Sequence, residues 1–158
     1  QTPTPTMTPD PARLRQPQGL AQVTWIGHSS VLYQIDGRNF LFDPVYAEYA
    51  SPVPPLGPKR AQPPGIPFGQ LPHIDAVFIS HNHYDHLDLE TVRQLAQQPG
   101  QTGGIVPDRD DDAKAHIEKM PKFSRLMSIG ASSNIRMTSR HGASRGMPGS
   151  RVRSSASM

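Results

Sequence analysis

Hydrophobic and polar positions alternate from Gln22 to Ile26, from Val31 to Ile35 and from Arg38 to Phe42. A period of two in residues of high strand propensity predicts three strands. Asp36-Gly37 stands alone between the second and third, and a two-residue Asp-Gly loop predicts a type I′ hairpin. The meander ends at Asp43-Pro44. Residues 74–80 enclose the continuous apolar run Ala76-Val77-Phe78-Ile79, short and rich in β-branched and aromatic residues, which reads as a buried strand. Asp88 then caps a helix over Leu89–Gln98, with Leu89, Val92, Leu95 and Ala96 on one face and Pro99-Gly100 as its stop. A short candidate helix around Asp112–Lys119 is the last segment with this kind of pattern. Between the meander and the buried strand, Ala50 to Pro72 is a long proline-rich connection, the kind of loop that is functional or unstructured.

Composition divides the chain in three. Residues 1–19 are Pro-rich and polar and predict a flexible, extended lead; residues 20–118 carry the patterned core; residues 119–158 are a basic tail expected to be disordered. Of the 16 Lys and Arg, 8 lie before residue 119 beside all 13 acidic residues, a net of −5, and the other 8 follow with no acid. The basic balance of the chain is therefore a property of its tail. No cysteine is present, which excludes disulfides and thiolate ligands, so a metal would be held by His, carboxylate and water. No apolar run approaches the roughly 20 residues that cross a bilayer, and no signal-peptide pattern opens the chain. A cytoplasmic or peripheral membrane location is expected.

The chemistry concentrates where the buried strand ends. His81, His83, Asp85 and His86 fall within six positions. His81 and His83 are two apart, so in extended chain their imidazoles project to one side and can grip one cation, while Asp85 and His86 can face a second. His28, where two strands meet, reads as a hydrogen-bonded turn residue outside the metal set, with support of a ligand as its functional alternative. Asp43 is either a turn former before Pro44 or the partner that orients a metal-bound His. Lys59-Arg60 in the long loop is a solvated pair or a contact for an anionic substrate group.

Trp25-Ile-Gly-His28-Ser, Leu41-Phe-Asp43-Pro44, Gly57-Pro-Lys-Arg60 and Ser80-His-Asn-His-Tyr-Asp-His-Leu-Asp88 together resemble the metallo-β-lactamase superfamily. Within it they are similar to the branch of N-acylphosphatidylethanolamine-hydrolysing phospholipase D and its bacterial relatives. The resemblance covers about residues 20–98. It implies an α/β (α+β) fold, here the N-terminal half of an αββα sandwich, and a site for two zinc ions between the sheets. It places His81 and His83 on the first metal and Asp85 and His86 on the second. A bridging hydroxide would attack a phosphodiester, phospholipid or other ester, and Asp85, as the catalytic residue, would orient it. The family requires a third His, a bridging Asp and a last His further along. Only Ser139-Arg-His141-Gly resembles the next of these motifs, which makes His141 the candidate third ligand of the first metal.

The composition after Phe123 reads as a truncated or frame-shifted continuation. The alternative to an active hydrolase is accordingly an inactive fragment holding one metal or none. The partner expected is a small-molecule or phospholipid substrate. Nucleic acid ranks last, because the tail arginines have no aromatic residues among them to stack bases.

Overall fold

The computed structural model describes residues 7, 9–100, 102–107, 110–119, 123–129 and 135–139. A short helix α1 (Pro11–Arg15) leads into strands β1 (Ala21–Gly27), β2 (Ser30–Ile35) and β3 (Arg38–Phe42). After the long loop come β4 (Ala76–Phe78), α2 (Leu89–Ala96), β5 (Thr102–Pro107), α3 (Asp111–Glu118), β6 (Phe123–Ile129) and β7 (Ile135–Ser139). The strands form one sheet in the order of the chain. β1, β2 and β3 pair antiparallel, β3 to β6 pair parallel, and β7 returns antiparallel on β6. Parallel neighbours need a long crossover. The proline-rich loop, α2 and α3 supply the three.

The meander takes the expected form. Asp36 and Gly37 have φ of +49° and +70°, the two positive values a type I′ turn requires. Part of the lead is ordered. Asp10 accepts a hydrogen bond from the Ala12 amide, Pro11 occupies the first turn, and Leu14 is buried in the core. The lead is thus not extended throughout; five residues are too few to show a helical period. The stretch expected as a basic tail contributes β6 and β7. His141 and the rest of residues 140–158 lie outside the described residues.

The sheet has two unlike faces. Leu32, Leu41 and Val77 stand side by side in the register and are fully buried, in one cluster with Ile74, Val92 and Leu95. Trp25, Val31, Phe42 and Phe78 form the neighbouring row on the opposite face, with Phe42 stacked on Phe78 at 4.5 Å between ring centroids. Trp25 on the edge strand is 63% exposed. Among the described residues the helices cover the first face and leave the second open. No helix among them is long and apolar enough to cross a membrane.

Candidate metal centre

β4 delivers the chain to Ser80, and Asp88 sets where the next helix begins. Its Oδ1 accepts from the amides of Glu90 and Thr91, the usual capping bonds. Its Oδ2 accepts from the Thr91 hydroxyl (2.6 Å) and from the amides of Tyr46 (3.1 Å) and Ala47 (2.8 Å). One carboxylate therefore caps α2 and ties the chain just before the proline-rich loop to the end of the histidine segment. Between Ser80 and Asp88 the chain turns tightly, with the amides of His86 and Leu87 both donating to the His83 carbonyl. Leu87 anchors the turn in the core.

The side chains of that turn converge. Asp43, at the end of β3 with φ of +40°, is the support beneath them. Its Oδ1 accepts from the Ser80 amide and its Oδ2 from the Ser80 hydroxyl, both at 2.7 Å. Oδ2 also meets His86 Nδ1 at 2.8 Å. A carboxylate only accepts, so His86 carries its proton on Nδ1 and turns the lone pair of Nε2 outward. The Ser80 hydroxyl, its hydrogen given to Asp43, accepts from His81 Nδ1 at 2.9 Å, which frees His81 Nε2 in the same way. That Nε2 lies 3.0 Å from His83 Nδ1. Two nitrogens on one tetrahedral zinc stand about 3.3 Å apart, so a shift of a few tenths of an ångström suffices to admit a cation between them.

Asp85 and His86 form the second pair, with Asp85 Oδ2 3.7 Å from His86 Nε2. His28 joins them. Its Nε2 lies 3.0 Å from Asp85 Oδ2, and the ligand atoms of His28, Asp85 and His86 fall within 4.8 Å of one another. Partial burial pushes the Asp85 carboxyl up, but the bond from His28 and the nearby His86 outweigh it and hold the group below its ordinary range. The donor chemistry thus suits a divalent cation: the Nε2 lone pairs of His81 and His86 are fixed by acceptors behind the rings, and the Asp85 carboxylate is in its charged form. A cleft of about 1390 Å³ adjoins the donors, with Trp25, Ile26, His28, His83, Tyr84 and Asp85 in its wall.

Sequence reasoning missed Ser80. Its place just before His81 was visible, but its bond to a residue 37 positions back was not. Lys59 and Arg60 have partners of their own. Lys59 pairs with Glu48 at 2.8 Å, and Arg60 donates to the main-chain oxygens of Val45, Ala47 and Gln62. These contacts pin the loop to itself, and both residues also line the cleft beside the donors.

Comparison with known proteins adds a family. A model described as the beta-lactamase superfamily domain matches residues 38–148. A protein of Mycobacterium tuberculosis is 51% identical over 73 residues, 46% of this chain and 20% of that protein. The N-acyl-phosphatidylethanolamine-hydrolyzing phospholipase D 1 of Caenorhabditis elegans is 42% identical over 84 residues, 53% of this chain and 24% of that enzyme. A metal-dependent hydrolase of Saccharolobus solfataricus is 30% identical over 80 residues, covering 51% of this chain and 30% of its own. The chain spans less than a third of the length of each of these relatives.

Proposed function

Since the chain belongs to the metallo-β-lactamase superfamily, we propose that it is the metal-holding part of a hydrolase that cleaves a phosphodiester, phospholipids included, or another ester. The observation that carries the reading is the 3.0 Å approach of His81 Nε2 to His83 Nδ1 beside the Asp85–His86 pair, with Asp43 and Ser80 behind them. Zinc bound there, as two ions in the full set, would supply Lewis acidity and lower the pKa of a coordinated water. His81 and His83 would hold the first ion. Asp43 and Ser80 keep the protons of His86 and His81 on Nδ1, away from the cation. Asp85 would help hold the second ion and would accept a hydrogen bond from a water beside it, orienting that water for hydrolysis. The similarity to a phospholipid hydrolase supports the substrate class, as does the exposed aromatic wall of Trp25 and Tyr84 beside the donors.

Turnover of bis(4-nitrophenyl) phosphate and of a carboxylic ester, with and without zinc, tests this. Zinc-dependent hydrolysis that Asp85→Asn abolishes without lowering the melting temperature is the expected result. Turnover that survives both chelation and Asp85→Asn would remove the metal mechanism. A second reading, a fragment that holds one cation and turns nothing over, is favoured by the donor inventory. Among the described residues, His81, His83, Asp85 and His86 with His28 nearby fall short of two closed sites. Cation binding without hydrolysis of either reporter would decide for it.

A further inference from the structure

We propose that His28 and Ser29 form a clamp that aims Asp85 at its cation, and that the tip between β1 and β2 exists in this form to provide it. The inference rests on the metal reading above and assigns a positioning role that the donor set alone does not contain. Three bonds carry it. His28 Nε2 lies 3.0 Å from Asp85 Oδ2, and the Ser29 hydroxyl donates to the Asp85 carbonyl oxygen at 2.9 Å, so the clamp takes hold of Asp85 at both side chain and backbone. The indole N–H of Trp25 donates to the His28 carbonyl at 2.9 Å and fixes the tip itself.

His28 has φ of +48°, in the left-handed region where glycine is at ease and where histidine, like asparagine and aspartate, is found more often than other side chains. The turn itself does not require an imidazole, and the contact with Asp85 gives the ring a role that glycine could not fill. The ring is 56% and the Asp85 side chain 42% exposed, so burial does not immobilise either one; the hydrogen bond does. Because the carboxylate only accepts, the 3.0 Å contact has His28 donating from Nε2, which is the role of a support. It holds the very oxygen that lies 3.7 Å from His86 Nε2. Groups that hydrogen-bond metal-ligating carboxylates and imidazoles typically change metal affinity roughly 10- to 100-fold when removed.

Cadmium titration of the whole chain, followed by the cadmium-113 signal and by nitrogen-15 shifts of the histidines, is the test. In the unmodified chain, cadmium shifts His86 Nε2. In His28→Gly that shift should need about 10- to 100-fold more cadmium, while the response of His81 and His83 stays as before. The melting temperature should not fall, since glycine accepts the backbone conformation. His28→Gln, which restores an N–H donor, should recover part of the affinity, an effect a merely structural turn residue would not show. Unchanged cadmium affinity at His86 in His28→Gly overturns the clamp. A metal-bound shift at His28 Nε2 overturns it as well, in favour of direct ligation. A His86 signal that cadmium leaves unmoved in the unmodified chain, while His81 and His83 respond, removes the Asp85–His86 site and the clamp with it; no response at any of the three histidines removes the metal reading itself.

Discussion

The donors are supported in two different ways. His81 and His86 rest on Asp43 and Ser80, and the Asp43 side chain is only 11% exposed at the end of β3. Asp85 is held from the side by His28 and Ser29 at an exposed strand tip. Support from beneath joins strands that also build the core, because Ser80 donates twice to Asp43 where β3 and β4 run parallel. Removing it must disturb both folding and the site. Support from the side touches nothing that the core needs, and its loss should be felt by the cation alone.

Asp43→Ala should have the largest effect. It leaves the Ser80 amide, the Ser80 hydroxyl and His86 without their acceptor, at a cost of roughly 2 to 3 kcal/mol in stability. Cation affinity should fall about 10- to 100-fold at the same time. Urea denaturation and zinc titration of one preparation read both; loss of affinity at full stability would mean that the two supports do not differ as described. Next comes Asp88→Ala, expected to destabilise by about 2 kcal/mol through the α2 cap and the amides of Tyr46 and Ala47. Cation binding measured well below the transition should stay within a few-fold, since Asp88 touches no donor nitrogen.

The smallest effect belongs to Asp75, remote from the donors. Burial raises its carboxyl, but the Asn39 amide and Arg38 outweigh that and bring it below its ordinary value. A depressed carboxylate contributes stability above the unfolded value near 4 and loses it as pH falls through the folded one. Arg38 is well exposed, so Asp75→Asn should cost no more than about 1 kcal/mol at pH 7, and the difference from the unmodified chain should shrink as pH falls from about 4. Melting curves from pH 7 to 3 show whether it does.

Much of this fold was legible because its strands obey simple periods. The strands of the meander, its Asp-Gly turn, the buried run of β4 and the capped helix α2 each announce themselves within a dozen residues. β5 was hidden because Gly103-Gly104 bring no side chains to a strand pattern. The cluster His81, His83, Asp85 and His86 was visible because the four are neighbours in sequence. What surrounds it was not. Asp43 stood open between turn former and support, and its contacts lie 37 and 43 positions away. His28 meets Asp85 across 57 positions, a contact that only the packed sheet creates.

The central claim is that His81, His83, Asp85 and His86 hold a divalent cation. Zinc content by elemental analysis, after purification without chelator and dialysis, tests it most directly when the unmodified chain is set beside a His81→Ala, His83→Ala double variant. The account predicts about one tightly retained equivalent in the unmodified chain and its loss in the double variant. Equal zinc in the two preparations, or none in either, would contradict it.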